Sequence, residues 1–138
     1  MAIRVIRAAL AALALVSLVL GVWAAVAPRS FYDDFPGGGH SWVAADGPYN
    51  EHLVRDFGAL NLAITVVTVF ALVTLGRALV TAVAVAWIVY QAPHLVYHAR
   101  HLDVYTSTSD KMGTIASLAL AVVLPLVVLA YARRLRPG

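Results

Sequence analysis

Residues 57–97 read FGALNLAITVVTVFALVTLGRALVTAVAVAWIVYQAPHLVY. Two apolar runs, from about Phe57 to Leu75 and from about Ala78 to Tyr97, are parted only by Gly76 and Arg77. Each approaches the roughly 20 residues a helix needs to cross a hydrocarbon layer about 30 Å thick. Helix is the natural conformation there, because lipid offers no partner to an open strand edge. The short alternating segments of a membrane barrel are absent. So short a turn predicts that the two helices are antiparallel neighbours.

Two further stretches qualify, from about Ala8 to Ala27 and from about Met112 to Tyr131. The sequence therefore predicts an all-α integral membrane protein. One four-transmembrane-helix domain covers residues 1–138, with spans 8–27, 57–75, 78–97 and 112–131 and an outer loop at 28–56. Composition agrees: of 138 residues, 62% are hydrophobic and 12% charged. A soluble domain is nearer half apolar and a quarter charged, and one soluble core of this size could not hide the surplus. Such hydrophobicity also excludes disorder. The absence of cysteine excludes a disulfide scaffold, thiolate metal sites and Cys nucleophiles. The net charge of +3 is scattered at span ends, which argues against nucleic-acid binding.

The first span carries two marks of a signal peptide, the basic Arg4 and Arg7 and the sequence Ala25-Val26-Ala27. Its apolar run is longer than a usual signal core, and Pro28 follows the would-be cut, so a retained helix is expected. Charge asymmetry gives the orientation. Arg4, Arg7, Arg77, Arg133, Arg134 and Arg136 fall on one side of the four spans. Arg29, Arg55, Arg100, Lys111 and all seven acids fall on the other. The basic side is expected to be cytoplasmic. The expectation is a multi-pass membrane protein with both termini inside.

The outer side carries the chemistry. The connection from Pro28 to Asn50 holds Phe31, Tyr32, Phe35, Trp42 and Tyr49, with glycines at 37, 38 and 39. It reads either as an aromatic belt at headgroup level or as a cap over the helices, with glycines supplying unusual backbone angles. In the helix that follows, His52 and Asp56 share one face and Glu51 and Arg55 an adjacent one. These pairs read as a salt-bridged helix start or as part of a site. Asn61, Thr65 and Thr68 form a stripe suited to interhelical hydrogen bonds.

On the third span, His94, His98 and His101 fall within an arc of roughly 60°, with Trp87 and Gln91 on the same side. Pro93 is expected to kink the helix there. Asp56 lies 21 residues before Arg77 and His98 lies 21 after it, so an antiparallel hairpin sets both at similar depth. His40 on the loop is within reach of the same zone, which contains all five histidines.

Imidazoles at this spacing beside a carboxylate point to three readings. They are a transition-metal shell of His52, Asp56, His94, His98, His101 and His40, an acid–base or ligand site without metal, or wetted interfacial residues. Bis-histidine haem is a minor reading, and the cofactor stays undetermined. No phosphate loop, nucleophile elbow, His-Glu-x-x-His or diiron Glu-x-x-His pair is present. The basic side offers only arginines and short turns, so cytoplasmic catalysis is not expected.

The run Phe31-Tyr32-Asp33-Asp34-Phe35-Pro36, followed by Gly47-Pro48-Tyr49-Asn50-Glu51-His52-Leu53-Val54-Arg55-Asp56, resembles a pattern of small, uncharacterised four-helix membrane proteins of actinobacterial type. More loosely, the layout is similar to DoxX-like membrane families, some of whose members work beside redox enzymes. Neither likeness supplies a catalytic residue.

The expected function is a polar site at the outer mouth that binds a metal ion or a small lipophilic ligand. Redox or acid–base chemistry on a quinone- or isoprenoid-like substrate is the accompanying expectation. His52, Asp56, His94 and His98 would act directly, with Glu51, Arg55, Asn61, Gln91, Tyr49 and Trp87 around them. The alternative is a non-catalytic subunit that anchors a larger membrane complex, or a homo-oligomer, through small residues of the first span: Ala8, Ala9, Ala11, Ala12, Ala14 and Gly21.

Overall fold

The computed structural model describes residues 1–135; Arg136 and Gly138, to which the sequence assigns the cytoplasmic side, lie outside them. The described residues are helical with no strand. The elements are α1 (Ala2–Val26), α2 (Pro28–Asp34), α3 (Trp42–Asp46), α4 (Glu51–Thr74), α5 (Arg77–Arg100) and α6 (Thr108–Ala132), with a 3-10 turn at Leu102–Val104. Four of them, α1, α4, α5 and α6, are long and apolar enough to cross a membrane. Their 24 or 25 residues rise about 36 Å at 1.5 Å per residue, more than the hydrocarbon layer requires. Along their outer faces lie Leu15, Val16, Val19, Leu60, Val66, Phe70, Val73, Val89 and Leu120, all exposed. Such a belt suits lipid, not water.

The helices overrun the expected spans, and residues 51–56 are the opening turns of α4 rather than loop. Asn50 starts α4 by accepting a hydrogen bond from the Leu53 N–H, and Ser107 starts α6 through the N–H groups of Ser109 and Asp110. α5 passes through Pro93 as one continuous helix. The turn between α4 and α5 is made by Leu75 in the left-handed conformation at φ 52°, a place more often given to glycine. Its side chain packs on the main core.

Helix pairing departs from the hairpin expectation. α1 packs most closely along α4, and α5 along α6, while α4 and α5 approach each other much less. A two-residue turn joins the helix ends but does not fix their spacing. Tyr90 and Trp87 reach across the gap instead: Asn61 Nδ2 donates to Tyr90 OH at 3.0 Å, and Trp87 Nε1 donates to Thr68 Oγ1 at 3.0 Å.

The α1–α4 seam is made of small residues. Gly58 sits where a Cβ would come within 2.6 Å of the Ala25 backbone nitrogen. Ser17 donates to the backbone oxygen of Asn61 at 2.8 Å and to its Oδ1 at 3.0 Å. The small residues expected to form a lipid-facing docking patch are thus divided. Ala9, Ala14 and Gly21 are buried within the molecule, and only Ala8, Ala11 and Ala12 face outward.

The main core runs from Ile6, Leu10 and Leu13 through Ala71, Val80, Val83 and Trp87 to Val128 and Leu135. A second cluster, of Ala24, Phe31 and Val54, lies at the far end beneath α2. The helix directions put Arg4, Arg7, Arg77, Arg133 and Arg134 at one end. All seven acids lie at or beyond the other.

Candidate functional site

The acidic end is held together by the segment between α1 and α4. Gly37, Gly38 and Gly39 all take positive φ, at 100°, 67° and 84°, which explains three consecutive glycines. They turn the chain so that His40 and Trp42 reach α6. His40 Nδ1 lies 2.6 Å from Asp110 Oδ1, and Trp42 Nε1 donates to the same oxygen at 2.8 Å. The Trp42 ring lies on Gly113, where a Cβ would approach within 2.9 Å. Phe31 fills the space under α2, its ring against Trp23, Phe35 and Phe57.

The expected site residues fall into three separate groups. The first lies on α4. His52 Nε2 is 3.3 Å from Asp56 Oδ2, but these side chains are 87% and 57% exposed. The buried positions of α4 are Val54, Gly58, Asn61, Thr65, Thr68 and Ala71. His52 and Asp56 each stand two residues, about 200°, from that stripe and so point away from the other helices. Arg55 pairs with Glu51 at 2.8 Å and also donates to the backbone oxygen of Ala25. Its cation thereby sits on a carbonyl at the C-terminal end of α1, which the helix dipole favours. Tyr49 packs against Tyr32, with Arg29 over its ring at 5.0 Å. Glu51, Arg55 and Tyr49 therefore fasten α4 to α1 and α2.

The second group is the His40–Trp42–Asp110 contact. The third runs along α5. Trp87 and Gln91 are buried as the spacing predicts. Tyr90 stacks on His94 with centroids 6.3 Å apart, and His94 lies 4.9 Å from the His98 ring. Tyr105, buried in the connection after α5, places its hydroxyl 3.2 Å from His98 Nδ1. Burial pushes the Tyr105 hydroxyl above its ordinary range; the Thr114 side chain opposes this, and the Asp46 and Asp110 charges add to it. It therefore remains a proton donor. Asp46, at the end of α3, lies within electrostatic reach of His94, His98 and Tyr105.

His101 leaves this row. The helix ends at Arg100, and His101 turns back to stack on Tyr97 at 4.3 Å, its Nδ1 2.8 Å from the Tyr97 backbone oxygen. The six-residue shell of His52, Asp56, His94, His98, His101 and His40 is thus not assembled. Among the described residues no group of three or more His, Asp or Glu is placed to hold a metal ion.

What the structure does join is a polar column. It starts at Ser17, passes through Asn61 to Tyr90 by hydrogen bonds, and continues by ring contact through His94 to His98 and Tyr105. Beside it on α5, Gln91 is buried and its Oε1 has no partner among the described residues. Thr114 Oγ1 on α6, close to Tyr105, is likewise buried and accepts or donates no hydrogen bond among the described residues. α5 is the least apolar of the four long helices, because it carries this column. Sequence reasoning missed Tyr90 and Tyr105. Tyr90 lies four residues before His94, so extending the histidine face by one turn would have found it. Tyr105 sits in an aperiodic connector that gives no such signal.

No family model, curated protein or solved structure matches the chain.

Proposed function

We propose that this is a membrane-embedded binding protein for a small lipophilic molecule that carries a hydroxyl group. Its site is the polar column of Asn61, Tyr90, Gln91, His94, His98 and Tyr105, at the extracytoplasmic end of the four-helix bundle. The supporting observation is Gln91: a buried amide oxygen with no partner costs about 1–3 kcal/mol, and a ligand O–H would satisfy it. An acceptor selects a donor, so a hydroquinone or an isoprenoid alcohol fits better than a quinone. The widely spaced α4–α5 seam offers an apolar tail a route from the bilayer. His98, bonded to Tyr105, gives the site a pair able to exchange a proton with that hydroxyl. Residues 28–50 act as the cap, latched to α6 through Asp110.

The orientation rests on the positive-inside rule, with the arginine-only end in the cytoplasm. The chain has no cysteine, so one introduced at the exposed Ala45 is a clean reporter. The Ala45→Cys protein should react with a membrane-impermeant thiol reagent on intact cells; protection there with reaction in inverted vesicles would reverse the assignment.

The ligand test is calorimetric titration of the purified protein with a short-chain menaquinol and with geranylgeraniol, beside the Gln91→Leu variant. The parent should bind at least one of the two. The variant should bind about tenfold more weakly, yet unfold at the same or higher temperature, because it no longer buries an unpaired oxygen. Equal affinities in parent and variant, or no binding by the parent, would overturn the proposal.

A further inference from the structure

A cavity of about 600 Å³ lies at the basic end, between the first turns of α5 and the last turns of α6. Arg77, Thr81 and Arg133 give it a polar rim, and Leu126, Leu129 and Ala130 an apolar wall. Both arginines are exposed. Among the described residues neither is held by a carboxylate, since every Asp and Glu side chain belongs to the opposite end. Their neighbours at this end are engaged differently. Arg134 lies over the Tyr131 ring at 5.1 Å, whereas Arg4 and Arg7, in the first turns of α1, are not among the residues that line the cavity. The first turn of α5 adds to the positive potential, because Gly76 provides no side-chain cap for its N–H groups.

We propose that this cavity binds one phospholipid with an anionic headgroup. The phosphate would sit between Arg77 and Arg133, with Thr81 donating its hydroxyl, and the acyl chains would follow Leu126, Leu129 and Ala130 into the bilayer. The shared chemistry is a phosphate held by two guanidiniums. The apolar wall beneath the arginines assigns it to a lipid and not to a free anion. Basic recesses between membrane helices are established positions for such headgroups. This inference rests on the membrane reading alone and is independent of the hydroxyl-ligand site at the other end.

The test reconstitutes the parent protein with phosphatidylcholine alone and with added phosphatidylglycerol, then measures retained lipid by native mass spectrometry. Three variants accompany it. Arg77→Gln/Arg133→Gln removes both charges. Ala130→Trp keeps the charges and fills the cavity. Arg4→Gln/Arg7→Gln removes two charges from the same end outside the cavity. Phosphatidylglycerol should be retained by the parent in preference to phosphatidylcholine. Retention should fall about tenfold in the first two variants and persist in the third. Equal loss in the third variant would show a general field, and full retention in Ala130→Trp would show that the cavity is not used; either overturns the site. Displacement of the lipid by inorganic phosphate alone would overturn its assignment to a phospholipid. Monodisperse elution of each variant, with its menaquinol titration unchanged, separates failure here from failure of the outer site.

Discussion

α4 meets its two neighbours in opposite ways. Toward α1 it presents Gly58, Asn61 and Leu62 to Ser17, Gly21 and Ala24, and the backbones nearly touch. Toward α5 it meets Trp87 and Tyr90, long side chains that bridge a wider gap. The covalent turn joins α4 to α5, yet the closer partner is α1, with the α2–α3 segment between them in the chain. In lipid, apolar residues gain little by leaving one apolar medium for another, so close backbone approach and interhelical hydrogen bonds decide pairing. Small residues are therefore the strong contacts here. The seam with large aromatics is the looser one, and it carries the polar column.

The largest effect is expected where backbone faces backbone. Gly58→Ala adds a methyl group 2.6 Å from Ala25 N and 2.9 Å from Gly21 O, neither of which can rotate away. Alanine regains about 0.5–1 kcal/mol of helix propensity, while overpacking costs about 1–3 kcal/mol. The net expectation is a loss of about 1 kcal/mol and no more than about 2.5 kcal/mol, read by SDS-induced unfolding of the purified protein under circular dichroism. Gly21→Ala is the control. There the added atom would lie 3.0 Å from two Leu62 side-chain atoms and from the Leu62 backbone nitrogen, with no atom as close as the 2.6 Å met at Gly58, so the loss should be smaller. A Gly58→Ala protein more stable than the parent would remove the distinction between the seams.

Much of this was legible in the sequence, for physical reasons that also mark where reading stopped. Twenty apolar residues in a row have one stable form in lipid, so the four long helices follow from composition. The row of buried Trp87 and Gln91 and half-buried His94 and His98 follows from helical spacing. Which face of α4 turns inward does not. His52 and Asp56 satisfy the i, i+4 rule equally well inward or outward, and the choice falls to Gly58, whose missing side chain lets α1 approach. The same small residues of α1 look alike whether they dock a foreign helix or the chain's own α4. His101 was lost because the helix ends one residue earlier, and helix ends are the least determined feature of a periodic pattern. Asp110 and Tyr105 depend on how the α2–α3 segment and the α5–α6 connector fold back, which no local periodicity encodes.

A smaller and more discriminating effect separates the seams at one residue. Asn61 makes a hydrogen bond in each direction, from Ser17 and to Tyr90. Ser17 has a second acceptor, the Asn61 backbone oxygen at 2.8 Å, which survives any change of the side chain. Tyr90 OH bonds to the Asn61 amide alone among the described residues. Two double-mutant cycles built on Asn61→Ala should therefore differ. With Ser17→Ala, the coupling should be near zero, because the serine keeps its backbone partner. With Tyr90→Phe, the coupling should be about 0.6 kcal/mol, the usual size of an interhelical hydrogen bond in a membrane protein, and no more than about 1.7 kcal/mol. Both cycles are read from the same unfolding curves as Gly58→Ala. If they give equal couplings, the polar contact between α4 and α5 is as replaceable as the one between α4 and α1. If only the Tyr90 cycle couples, the Asn61–Tyr90 bond is one of the two hydrogen bonds across the wide seam that nothing else replaces, and a ligand hydroxyl competing for Tyr90 would loosen the seam it enters.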